Sequence, residues 1–198
     1  MSKVDDDKAV IREEVTENGS KRAALYISIL AVLLAVTNLG GSNATKDFMA
    51  NYIGASDTYA FFQAKSIRQT SYQLAHDQLK IQIESQPGLP ERTRSDMLAT
   101  LDKYRDSIRK YDSDPETGEG KKELLEKARA MERQRDKAAR KDPYFDHATA
   151  LLEIAIVTAS VATMLEVTSI MIVSVVLAVA ATFLMINGYM LLVSLPFF

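Results

Sequence analysis

Residues 148–195 read ATALLEIAIVTASVATMLEVTSIMIVSVVLAVAATFLMINGYMLLVSL, and this block decides the fold. As a single helix its roughly 48 residues would reach about 70 Å, far more than the ~30 Å hydrocarbon layer of a bilayer. It must therefore fold back on itself. The polar residues near its middle are Glu166, Thr168 and Ser169, which places the reversal there and predicts two spans, 148–166 and 169–193. A soluble fold of this size does not bury two adjacent helices that are apolar on all faces, so the hairpin belongs in a membrane.

Working outward, residues 23–39 (AALYISILAVLLAVTNL) carry no charge and predict a further span over 23–40, behind a charged tail at 1–22. Lys21 and Arg22 followed by an apolar run, then Gly40, Gly41 and Ser42, also resemble a cleavable signal peptide. The long acidic leader favours an uncleaved anchor. The expected fold is an all-α membrane protein: three transmembrane helices, with a helical, coiled-coil-like extramembrane segment at 41–147 between the first and second.

Charge follows the same division. Of 24 Lys and Arg residues, 5 lie in the first 22 positions, 19 lie between Lys46 and Lys141, and none follows. Within the extramembrane segment the apolar positions show helical spacing. Ala60, Ala64, Ile67, Ser71, Leu74, Gln78 and Ile81 step by four and three, the seam of a coiled coil, with Asp57 as N-cap and Pro87, Gly88 and Pro90 as terminators. A second helix carries Met97, Leu101, Tyr104, Ile108 and Tyr111. After a turn around Pro115 and Gly118, a third carries Leu124, Ala128, Met131, Arg135 and Ala138 and feeds into the second span, with a possible kink at Pro143. Such narrow seams bury little area, so helices from neighbouring subunits would help to stabilise the segment.

Positive charge gives two answers about sidedness. Lys8, Arg12, Lys21 and Arg22 before the first span, against Lys46 after it, favour an exported loop. Lys127, Arg129, Arg133, Arg135, Lys137, Arg140 and Lys141 before the second span, against no basic residue in the hairpin turn, favour a cytoplasmic one. The larger asymmetry tips the expectation toward a cytoplasmic loop.

A carboxylate at membrane depth is costly and is a functional candidate by default. Glu153 lies a few residues into the second span, and antiparallel neighbours are expected to bring Thr37, Asn38, Thr182 and Asn187 to a similar depth as an intramembrane polar cluster. That cluster would lock the helices, or hold a proton or cation. Glu166 is nearly 20 Å further along the helix at ~1.5 Å per residue and shares no site with Glu153. Ala155, Ala159 and Ala162, and Ala31 with Ala35, are candidate faces for close helix packing.

The absence of cysteine excludes disulfides, thiolate catalysis and thiolate metal sites. His147 and Glu153 lie about 120° apart on a helix, poor geometry for a shared metal. No phosphate-cradling glycine loop, nucleophile elbow or HExxH appears, so no enzyme activity, metal or cofactor is expected. A net charge of −2 with interleaved acids and bases gives no reason to expect nucleic acid as a partner.

The stretch DTYAFFQAKSIRQ at 57–69 and the stretch YFDHATALLEIAIVTASVATM at 144–164 resemble the bacterial family called domain of unknown function 4337. The likeness rests on Phe61, Phe62, Gln63, Ala64, Lys65 and Ser66, then on Tyr144, Phe145, Asp146 and Glu153. It implies a bacterial three-span membrane protein and carries no activity to transfer. It also directs attention to a juxtamembrane segment in which Tyr59, Phe61 and Phe62 would sit at the interface, with Gln63, Lys65 and Arg68 as further contact residues toward headgroups or a partner.

Packing surfaces without chemistry point to a membrane scaffold or accessory subunit of the bacterial inner membrane, in contact with lipid and either homo-oligomeric or docked onto a larger complex. The alternatives are a small proton or cation channel component using Glu153, and a lipid- or envelope-organising protein.

Overall fold

A computed structural model describes the backbone of residues 3–193 and the side chains of residues 19–193. The side chains of Lys8 and Arg12, used above in weighing sidedness, lie outside that range. Among the described residues there are four helices, α1 (Lys3–Ser85), α2 (Glu91–Asp112), α3 (Lys121–Leu165) and α4 (Thr168–Met190), and no strand. Three of them, α1, α3 and α4, are long and apolar enough to cross a membrane. They fall into two compact units: Met1–Asp47 with Lys137–Phe198, and Phe48–Asp136.

The expected break between the first span and the first extramembrane helix is absent. α1 runs through Asp57, which is exposed in mid-helix and caps nothing. Once nucleated, a helix extends at little cost, and no proline interrupts α1 before Pro87. Gly40, Gly41 and Gly54 within it lower propensity but are held by packing: a Cβ on Gly54 would come within 3.1 Å of Met131 Sδ. Likewise α3 continues through Pro143 without interruption.

In the first unit three helix segments pack around Leu30, Leu152, Ala155, Ala178 and Ala181, flanked by Tyr26, Leu33, Leu34 and Leu177. Large apolar side chains also cover the outside, among them Leu25, Val32, Val157, Val176, Val179 and Phe183, each more than half exposed. An exterior as apolar as the interior is what lipid solvation requires. Association within lipid then rests on close packing and hydrogen bonds more than on hydrophobic transfer. The hairpin turn sits at Glu166 and Val167. Glu166 adopts φ 57°, and Val167 N–H bonds the Ala162 carbonyl at 3.1 Å, the Schellman arrangement that ends α3.

In the second unit α2 and then α3 each run antiparallel along α1. The seams read from sequence for α2 and α3 point inward, with Leu101, Leu124 and Ala128 buried. The α1 seam does not. Ala60, Ala64, Ile67, Ser71, Leu74, Gln78 and Ile81 are all exposed, and α1 packs instead through Ala55, Thr58, Phe62, Gln69, Tyr72 and Ile83. The reason is size. Aromatic side chains remove far more surface from water than alanine and serine, and Tyr72 meets Tyr104 and Tyr111 at ring separations of 5.8 and 5.6 Å.

Candidate functional site

The intramembrane polar residues are positioned by the α1–α3 and α3–α4 contacts of the first unit, and they do not form one cluster. Glu153 is exposed on the flank of α3 and lines an open groove of about 420 Å³ with Asn38, Ser42 and Thr45 of α1 and Asp142, Asp146 and Thr149 of α3. Residues 142, 146, 149 and 153 share one face because helical neighbours recur every three or four positions. Asn38 accepts a hydrogen bond from the Thr149 hydroxyl at 2.9 Å, and Thr45 donates to Asp142 at 3.1 Å.

The other expected members are committed elsewhere. Thr37 is buried but returns its proton to the Leu33 carbonyl (2.8 Å), and Thr182 does the same to Ala178 (2.7 Å). Asn187 is 2% exposed and clamps the backbone of Val193 from both sides: its amide donates to the Val193 carbonyl (2.8 Å) and its oxygen accepts from the Val193 N–H (2.9 Å). A helical hydroxyl can satisfy itself on the preceding turn, and Asn187 finds a backbone pair just beyond α4, so neither turns toward Glu153.

Sequence reasoning missed the groups that tie the spans together. Tyr26 of α1 and Ser174 of α4 share a hydrogen bond at 3.1 Å, and buried Ser174 donates to the Ala155 carbonyl of α3 at 2.7 Å. Tyr189 of α4 donates to the Val36 carbonyl of α1 at 2.9 Å. An isolated serine and tyrosine give no pattern in sequence by which to find them.

Ala155, Ala159 and Ala162 are buried along α3, where small side chains let backbones approach. Ala31 and Ala35 are exposed; the packed face of the first span is instead Ala23, Leu30, Thr37, Gly40 and Ala44. Here the aromatic pair before the second span has its role. Phe145 is 2% exposed and its ring lies against Gly40, Gly41 and Gly188, meeting Tyr189 edge-on at 4.9 Å. Tyr144, also buried, donates its hydroxyl to the Val193 carbonyl at 3.1 Å. Two of the small residues that resembled a cleavage site, Gly40 and Gly41, thus help form the recess for that ring.

In the second unit, three of the six juxtamembrane candidates do not face outward. Tyr59 donates to Glu132 at 3.1 Å; burial and then that carboxylate push its pKa above the ordinary tyrosine value. Phe62 lies under the Lys121 ammonium at 5.6 Å. Lys65 turns inward, pairing with Glu119 at 3.1 Å and lying 4.9 and 5.6 Å from the rings of Phe61 and Tyr111. Phe61, Gln63 and Arg68 remain exposed. The missed residue is Gln69, buried, donating to the Ile108 carbonyl (3.0 Å) and accepting from Lys121 (2.8 Å).

Where α2 turns into α3, Lys122 and Asp112 pair at 2.7 Å, which lowers the Asp112 pKa and raises that of Lys122. Glu123 accepts from the Ser113 hydroxyl and the Asp114 N–H, and its pKa is lowered by them, the serine contributing most. No group of three or more His, Asp or Glu able to hold a metal occurs among the described residues.

No curated protein and no solved structure matches this chain. A family model described as "Domain of unknown function (DUF4337)" matches residues 19–191, which takes in residues of both units. The chain therefore belongs to the family called domain of unknown function 4337.

Proposed function

We propose that this protein is a non-enzymatic membrane scaffold that self-associates, or docks onto a larger membrane complex, and presents its extramembrane helices as the docking surface. The observation that supports this reading is the apolar surface left by the second unit: Ile67, Leu74 and Ile81 of α1 are 68, 59 and 63% exposed and share one face. In the first unit, by contrast, buried polar groups such as Ser174 and Asn187 are spent on joining helices and closing the chain. The finer placement proposed is a bacterial cytoplasmic membrane, with residues 41–147 on the cytoplasmic side, argued from the seven basic residues before the second span. Purification in mild detergent with mass measurement tests the scaffold; a defined oligomer or a co-purifying complex is expected, and a monodisperse monomer without partner removes it. Digestion of the segment by protease added to intact spheroplasts would overturn the sidedness.

A second reading is a proton or cation path formed when several copies assemble, with Glu153 as its carboxylate. It is favoured by the exposure of Glu153 beside the polar groove of Asn38 and Thr149. Liposome flux that is lost in Glu153→Gln supports it, and flux that is absent or unchanged counts against it.

A further inference from the structure

We infer that the exposed face of α1 over residues 60–81 is a parallel coiled-coil seam for further copies of this same chain. The inference rests on the self-association reading above and names its surface.

The geometry begins with spacing. Ala60, Ile67, Leu74 and Ile81 recur every seven residues, and Ala64, Ser71 and Gln78 lie four residues after the first three of them. In heptad notation the first set occupies d and the second a. A repeat of seven matches the 3.5-residue period of supercoiled helices and no other packing partner as well as a helix bearing the same repeat. All seven side chains are exposed, with Gln78 at the rim of the open groove between α1 and α2 and the others on the face away from the packed one.

The flanks fit a second copy of the same sequence. Copies inserted with one topology have α1 running in one direction, so the seam is parallel and in register. The g-to-e′ pairs are then Gln63 with Arg68, Thr70 with Ala75, and Asp77 with Gln82; none sets like charges together. At the next a position toward the first span stands Asp57, where two carboxylates would oppose each other and end the seam. Gln78, the one amide at an a position, fixes register.

The area is small. Full burial of an isoleucine or leucine removes roughly 100 Å² of apolar surface, so three partly exposed ones per copy fall well short of the 1,200 Å² of a stable soluble interface. Confinement of the spans to one membrane supplies the missing affinity as effective concentration.

Because the chain has no cysteine, single introduced cysteines report the seam directly. Ile67→Cys and Leu74→Cys are placed in native membranes under mild oxidation, with the exposed Gln73→Cys and Lys103→Cys as controls. Cross-linking at 67 and 74 is expected to exceed the controls by about fivefold or more, since a disulfide needs Cα atoms within about 7 Å. The double variant Ile67→Lys/Leu74→Lys is expected to reduce the detergent-purified oligomer to monomer. Equal cross-linking at all four positions with the purified wild-type chain still oligomeric overturns the seam and leaves the scaffold reading standing. A wild-type chain monomeric by mass and without seam cross-links overturns both. A cysteine at 67 shielded from maleimide yet not cross-linked shows a different occupant, and that too overturns the inference.

Discussion

The Phe145 ring occupies the space that the missing side chain of Gly40 leaves in α1: a Cβ there would stand 2.7 Å from Phe145 Cζ and 2.8 Å from the Tyr189 hydroxyl. Gly40→Ala is therefore expected to destabilise the first unit by about 1–3 kcal/mol, the usual cost of forcing an extra carbon into a filled site. Thermal unfolding in detergent measures it. Combining it with Phe145→Ala should cost less than the sum of the two single changes, because the second removes what the first collides with. Strict additivity would mean the two residues do not share the recess.

Asn187→Leu removes the donor and acceptor that hold Val193. The Val193 carbonyl keeps the Tyr144 hydroxyl, but the Val193 N–H is left without a partner at a cost of roughly 1–3 kcal/mol, so the loss should exceed that of Thr182→Val, whose hydroxyl only returns to its own helix. Parallel melts of the two variants decide this, and an equal effect would contradict the clamp.

At the hairpin, Glu166 holds a left-handed backbone that costs a side chain roughly 1–2 kcal/mol and costs glycine little. Glu166→Gly is expected to raise stability by up to about 1 kcal/mol after the greater freedom of the unfolded glycine is counted. Glu166→Val should lower it. A destabilising glycine would show that the glutamate side chain contributes something the turn geometry does not.

Acid should loosen the α2–α3 junction first. Asp112 and Glu123 have pKa values below their ordinary 3.8 and 4.5, through Lys122 and Ser113 respectively. A carboxylate with a depressed folded pKa contributes stability above its unfolded value and loses it as pH falls through the folded one. Hydrogen exchange at residues 112–120 is expected to quicken as pH drops below about 4, after correction for intrinsic rates. Glu123→Gln should flatten that response.

Two glutamines of the QAKS-containing stretch should behave oppositely. Gln69→Leu leaves the Ile108 carbonyl and Lys121 without their buried partner and is expected to cost about 1–3 kcal/mol. Exposed Gln63→Leu is expected to stay within about 0.5 kcal/mol. Urea denaturation of the full-length protein in detergent, followed on the extramembrane helices, compares them.

Three spans, the reversal at Glu166 and the inward seams of α2 and α3 were determined by sequence alone. Length against bilayer thickness and the 3.6-residue period are properties of the chain itself and need no knowledge of neighbours. The face that α1 turns inward, the partners of Thr37 and Asn187, and the glycine recess for Phe145 were decided only by tertiary structure. Each depends on which helix stands opposite and how closely it approaches. The heptad of α1 was as legible as any, yet aromatic bulk on the other face won the contact with α2, and the readable seam was left facing outward.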